Sequence, residues 1–157
     1  MRISCKTMSA ASADDAFFLL NSFLRNDRHY LSNSRSYGDR GPAALKRAIK
    51  HFLRCPELGF VWLAYEKNKP IGVCVVCYAI STSIGGLVAK LDDVFVIQEK
   101  QREGVATQMI NALKRKLRKR RILRIDTSVY KRNRAAEKYY QYLKFRPLGE
   151  ERLSLVL

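Results

Sequence analysis

The sequence predicts a mixed α/β fold, and three observations carry that reading. Asp92 to Leu117 (DDVFVIQEKQREGVATQMINALKRKL) runs from an apolar strand core, Val94-Phe95-Val96, through a turn into Met109, Ile110, Leu113 and Leu117 at helical spacing. Three strand-like apolar stretches between residues 58 and 96 follow one another through short turns, as in a meander. Helical and strand patterns then alternate toward the C-terminus. The expected order is β-α-α-β-β-β-α-β-α-β-β, a central mixed, twisted sheet flanked by helices.

Arg2 to Lys6 reads as a short first strand. Ser12 to Arg25 reads as a helix. Ser12 and Asp15 make a capping-box-like start, and Ala16, Leu19, Leu20, Phe23 and Leu24 form one apolar stripe. Asn26 to Gly41 is rich in Asn, Ser, Gly and Arg and reads as a loop. Pro42 suits the first position of a second helix. Leu45, Ala48, Ile49, Phe52 and Leu53 give that helix its stripe, and it ends before Pro56.

Leu58 to Glu66 and Ile71 to Ile80 are strands joined by the Lys67-Asn68-Lys69-Pro70 hairpin turn. Ser81 to Gly86 turns the chain into a third strand, Leu87 to Val96. After the long helix, Ile122 to Val129 reads as a strand and Asn133 to Leu143 as a helix. Phe145 to Leu148 and Arg152 to Leu157 read as final strands. No linker, repeat or low-complexity tract interrupts residues 1–157, so one domain is expected, large enough to bury about 70% of its unfolded surface.

Apolar residues make up 47% of the chain and charged residues 28%, ordinary for a soluble globular protein. The longest apolar run, Val73 to Ile80, is too short to span a membrane. MRISCKTMSA has no apolar segment of a secretory signal, so a cytoplasmic protein is expected. The formal net charge is +16, with seven basic residues in the eight positions from Lys114 to Arg121. Such a surface concentrates phosphate-bearing anions, whether small molecules or nucleic acid, or simply solvates a helix end whose carbonyls favour cations. Cys74 and Cys77 have C-x-x-C spacing, but on a strand they point to opposite faces and cannot share a metal. With only His29 and His51 available, no metal site is expected.

The turn Gln101-Arg102-Glu103-Gly104-Val105-Ala106 is the first candidate site. The first N–H groups of the helix that follows have no internal partner, and the helix dipole adds positive potential, which makes an anion site. Gly104 lets backbone approach a phosphate closely. The turn resembles the acetyl-CoA pyrophosphate loop of the GNAT superfamily of N-acetyltransferases, Q/R-x-x-G-x-G/A, with Gln101, Gly104 and Ala106 at its fixed positions. Asn133, Ala136, Tyr140 and Phe145 resemble a second GNAT pattern, N-x-x-A-x-x-x-Y-x-x-x-G-F, in which Lys144 stands where glycine is usual. That replacement implies a different helix C-cap. The order of elements agrees across the chain, so a GNAT-like fold is expected. Leu91 to Val96 is more narrowly similar to the polyamine acetyltransferase branch, although a protein of net charge +16 would repel a polyamine.

The resemblance implies acetyl transfer from acetyl-CoA to a primary amine. It implies that residues Gln101, Arg102, Glu103, Gly104, Val105, Ala106 and Thr107 hold the pyrophosphate. It further implies that the strand Val94, Phe95, Val96 pairs with the pantetheine arm through Val94 and Val96. Asn133 and Ala136 would line the opposite wall. A backbone N–H near Val94 would stabilise the oxyanion, and Arg102 and Arg132 could add phosphate contacts. Tyr140 is the candidate acid for the leaving thiolate, because a phenol stays protonated at neutral pH. Tyr140 could instead be a packed aromatic beside Ala136 and Leu143. Asp92 is preferred over Asp93 as the candidate base, against the alternative of a structural ion pair. The Asn26 to Gly41 loop, with His29, Tyr30, Tyr37 and Asp39, would line the acceptor site. The basic surface leaves open a protein- or RNA-linked amine, a homodimer, or a non-catalytic CoA- or nucleic-acid-binding module.

Overall fold

The computed structural model describes residues 2–157. Its elements are β1 (Ser4–Thr7), α1 (Ala13–Asn26), α2 (Arg28–Leu31), α3 (Gly41–Arg54), β2 (Gly59–Glu66), β3 (Lys69–Ser81), β4 (Gly86–Val96), α4 (Val105–Lys119), β5 (Ile125–Thr127) and α5 (Arg134–Tyr142). The sheet order is β1-β2-β3-β4-β5. The first four strands are antiparallel, and β5 joins β4 in parallel after the α4 crossover.

Both faces of the sheet are covered, so β2 is buried without alternation from Gly59 to Tyr65. Val61, Leu63, Tyr65, Val73 and Val75 pack against Ala16, Leu19 and Leu20 of α1 and Leu45 and Ile49 of α3. Phe60, Trp62, Ala64, Cys74, Val76 and Leu91 pack against Met109, Ile110, Leu113 and Leu117 of α4. The expected helical stripes are thus the buried ones. Cys74 lies in the α4-side core and Cys77 packs on the α1 side, on opposite faces as expected.

The β3–β4 pairing is irregular at one point. Val73 pairs with Phe95 and Val75 pairs with Asp92. Cys74 alone on β3 therefore faces both Asp93 and Val94 on β4, which is a β-bulge. Asp93 absorbs the extra residue with a left-handed φ of 52°. The parallel β4–β5 ladder runs from Ala89/Ile125 to Leu91/Thr127 and stops there, next to the bulge. Beyond Leu91 the two strands part.

Several expected elements differ. Asn26 to Gly41 is not all loop: it holds α2, whose Asp27 side chain accepts from the Tyr30 N–H at 2.8 Å. Ser12 does not cap α1 through its side chain; Ser9 and Ser12 instead form a capping box on a 3-10 turn just before it. The strand expected over Ile122 to Val129 is ordered as strand only at Ile125–Thr127. The two final strands are absent. Pro147 and Gly149 break the first, and β5 offers only a three-residue edge for the second. Leu153 and Leu155 alternate like strand residues but are 87% and 84% exposed. No described helix is long and apolar enough to cross a membrane.

Candidate active site

The parting of β4 and β5 leaves an unpaired strand edge. Ile97 donates its N–H to the Ile71 carbonyl at 3.0 Å, toward β3. Backbone groups alternate along a strand, so those of Val96 and Val94 point to the open side. The Val96 carbonyl is already taken, by the Gln101 side-chain amide at 2.9 Å. Gln101 therefore ties the turn to the end of β4 and does not project outward. Phe95 points to the other face, where its ring lies 6.1 Å from that of Phe23.

At the end of that edge stands the N-terminus of α4. Gly104 is its N-cap, with φ 78°, and no side chain caps it. The Gln108 N–H bonds the Gly104 carbonyl at 3.0 Å, so the helix itself leaves the N–H groups of Val105, Ala106 and Thr107 without partners. No acidic residue sits in this first turn. A Cβ on Gly104 would meet no protein atom within 4 Å, so the space before it is open. Val105 is buried and anchors the helix. Arg102 is exposed, and Glu103 sits 3.5 Å from Lys100, which also pairs with Glu66 at 2.9 Å. These features fit a phosphorylated ligand lying along the fork.

Asn133 is the N-cap of α5, its Oδ1 accepting from the Ala136 N–H at 3.1 Å. It shapes the helix start directly. Tyr140 lies at the fork. Its hydroxyl sits beside that of Thr127, and burial pushes its pKa up to about 12 while Thr127 favours the ionised form. Its ring stands edge-on to Phe145 at 5.3 Å. Tyr139 points elsewhere: its buried hydroxyl lies near Thr107 without a well-formed hydrogen bond. The C-cap of α5 corrects the expectation from Lys144. Lys144 itself adopts φ 71°, and the Phe145 N–H reaches the Tyr140 carbonyl at 3.0 Å, the bond a glycine-capped helix end makes. The cap geometry is kept, and lysine carries its strain.

The two aspartates at the bulge differ. Asp92 is held between cations, with Lys90 at 3.2 Å and Arg152 at 3.8 Å. Asp93 is mostly buried and has no hydrogen-bond or ion-pair partner among the described residues. Burial first, then the charge of Asp92, push its carboxyl up to about 6. Tyr30 of α2 and Tyr130 of the β5–α5 connection lie near enough for its charge to act on them. Tyr30 stacks on Tyr37 at 5.5 Å, His29 stacks on Tyr130 at 5.9 Å, and the Tyr37 hydroxyl donates to that of Tyr130 at 3.3 Å. Burial and nearby carboxylates, Asp93 among them, raise the Tyr30 and Tyr130 phenols. Asp39 is structural: it accepts from Arg25 at 2.6 Å, Tyr30 at 2.9 Å and the Gly41 N–H at 2.7 Å.

Sequence reasoning missed Thr127, Tyr130 and Arg152. None falls in a motif, and all three reach the site through long-range contacts. The basic run is divided in use. Lys114 donates to the Leu143 carbonyl at 3.2 Å, and Lys116 lies over the Phe60 and Trp62 rings at 5.4 and 5.6 Å. Arg118, Lys119 and Arg121 are exposed.

Residues 24–145 match the Acetyltransferase (GNAT) family. No curated protein matches the chain. Among solved structures, a probable acetyltransferase is similar at 21% identity and TM-score 0.79, covering 100% of this chain and 98% of the other. A ribosomal-protein-alanine N-acetyltransferase from Brucella melitensis biovar Abortus 2308 has 13% identity, TM-score 0.76 and 99% coverage of both. AAC(6')-Iy, in complex with the bisubstrate analogue CoA-S-monomethyl-acetylneamine, has 16% identity and TM-score 0.74, covering 100% and 98%. These likenesses agree with the forked sheet, and the family match spans most of the chain: this protein belongs to the GNAT family of acetyltransferases.

Proposed function

We propose that this enzyme transfers the acetyl group of acetyl-CoA to a primary amine, with Tyr140 as general acid and Asp93 as general base. The carrying observation is that Tyr140, the open β4 edge and the bulge aspartates converge where β4 and β5 part. Acetyl-CoA supplies the acetyl group as a thioester. The free N–H groups of Val105, Ala106 and Thr107 bind its pyrophosphate, with Gly104 giving room. Val94 and the Val96 N–H pair with its amide-bearing arm as an added strand would. The CoA-linked bisubstrate analogue bound to a similar fold supports acetyl-CoA as the donor.

The acceptor amine enters from the Tyr30, Tyr37 and Tyr130 side. Asp93 takes the role the sequence expects of Asp92, because Asp92 is neutralised by Lys90 and Arg152. A carboxylate near pKa 6 is a stronger base than a solvated one and remains ionised at neutral pH. The ammonium proton passes to Asp93, the amine nitrogen bonds the thioester carbon, the C–S bond breaks, and the second proton lost from nitrogen restores the Tyr140 phenol after it has protonated the sulfur. A backbone N–H near Val94 carries the oxyanion charge, and Tyr140 protonates the departing sulfur. Burial keeps the Tyr140 proton in place at neutral pH at a cost in acidity, which the Thr127 hydroxyl offsets only in part.

The test is a screen for thiol release from acetyl-CoA with primary amines of varied charge. Amine-dependent release with a matching N-acetyl product is expected. Tight CoA binding with no turnover on any amine would leave a binding module instead.

A further inference from the structure

The C-terminal tail crosses the acceptor side of the site. Glu151 pairs with Lys131, beyond β5. Ser154 donates to the Ser36 carbonyl at 2.9 Å, and Val156 lies against Gly38, so close that a Cβ there would sit 3.0 Å from it. Between these anchors, the Arg152 guanidinium lies 5.7 Å over the Tyr37 ring and reaches to 3.8 Å from Asp92. An aromatic face and a carboxylate are the two groups that seat a cation.

The surroundings sharpen this. The chain carries +16 overall, yet Asp92 and Asp93 sit side by side here, and Asp27 is near enough to act on Tyr130 with Asp93. Two of the carboxylates are matched within the fold: Asp39 by Arg25 and one oxygen of Asp92 by Lys90. The other Asp92 oxygen is met only by Arg152, from the tail, at a distance too long for a well-formed hydrogen bond. Asp93 is left without a hydrogen-bond or ion-pair partner among the described residues. Asp93 and one oxygen of Asp92 are thus short of close cation partners, and the nearest cation to that oxygen comes from the tail.

Resting on the acyltransferase reading, we infer that Arg152 occupies the subsite for a second positive charge on the acceptor. The substrate is then an amine that keeps a guanidinium or ammonium group between Tyr37 and Asp92 while its reacting nitrogen reaches Asp93. The tail competes with that group and must yield for the acceptor to bind fully. An acceptor with a lone amine gains nothing from the subsite and does not displace the tail.

Agmatine, which joins a primary amine to a guanidinium, is the probe, and n-butylamine is its singly charged control. Calorimetry would measure both, and separately acetyl-CoA, on wild type, Arg152→Ala and Arg152→Ala/Asp92→Asn. Arg152 is partly exposed, and its removal leaves the core untouched. Arg152→Ala should bind agmatine about tenfold more tightly than wild type, with n-butylamine and acetyl-CoA unchanged. Adding Asp92→Asn should reverse the gain. Equal agmatine affinity in wild type and Arg152→Ala, or equal gains for both amines, would overturn the subsite. Failure of wild type to bind acetyl-CoA would instead sink the acyltransferase reading, and the agmatine comparison would still decide the subsite.

Discussion

Thr127 donates its hydroxyl proton to the Leu91 carbonyl at 2.9 Å, and with that bond the β4–β5 ladder ends. Thr127 also lies beside the Tyr140 hydroxyl. One side chain thus closes the last rung of the sheet and adjoins the candidate acid. The bulge at Asp93 and Val94 begins within two residues of Leu91 on the same strand. Strand register, the open edge and the candidate acid–base groups are therefore consequences of one local irregularity.

Gly104→Ala should weaken CoA binding about tenfold. The left-handed φ of 78° costs a non-glycine residue about 1 kcal/mol, visible in urea unfolding. The new Cβ meets no protein atom, so any further loss comes from the ligand side. Calorimetry with CoA on the folded variant checks this. Unchanged affinity would remove the turn from the phosphate site.

Asp93→Asn should lose activity and gain stability together. Asp93 holds its proton more tightly folded than unfolded, its pKa being raised to about 6. Between about pH 4 and pH 6 the native state therefore binds more protons, and its stability falls as pH rises through that window. Asparagine tolerates the left-handed backbone and carries no buried charge. The variant should be more stable than wild type at pH 7 by on the order of 2 kcal/mol, the two converging below about pH 4. Its acetyl transfer should fall about 10²–10⁴-fold, and the rise of kcat/KM near pH 6 should vanish. Denaturant titrations and pH–rate profiles on both proteins decide it.

Lys144→Gly should stabilise the protein by about 1 kcal/mol, because lysine now bears the left-handed φ of 71° at the end of α5. Lys144 is exposed and contributes no core contact that glycine would forfeit. A higher urea midpoint at unchanged slope is expected. A lower midpoint would mean that the lysine stem contributes more than its backbone costs.

Much of this was legible in the chain, for local reasons. The stripes Ala16, Leu19, Leu20 and Met109, Ile110, Leu113, Leu117 are buried because helix period alone decides which face turns inward. Gly104 at a strand-to-helix turn foretells an uncapped helix start. What could not be read depends on register between distant strands. Nothing in Asp92-Asp93 says that a bulge opposite Cys74 turns one carboxylate toward cations and buries the other. Gln101 sits in the expected loop, yet its amide faces inward because the Val96 carbonyl is left open by the parted strands. Leu153 and Leu155 alternate as a strand would, but alternation cannot supply a partner edge.

If the Tyr140 hydroxyl protonates the departing CoA sulfur, turnover by Tyr140→Phe beside Tyr139→Phe reveals it directly. Phenylalanine keeps the Tyr140 ring against Phe145 and removes only the oxygen beside Thr127. Turnover should fall about 10²–10⁴-fold with CoA affinity nearly intact. Tyr139→Phe removes a buried hydroxyl that has no well-formed hydrogen bond among the described residues, so it should keep its activity and unfold no more easily than wild type. Full activity in Tyr140→Phe would make this tyrosine a packing residue, and a larger loss in Tyr139→Phe would move the acid to its neighbour.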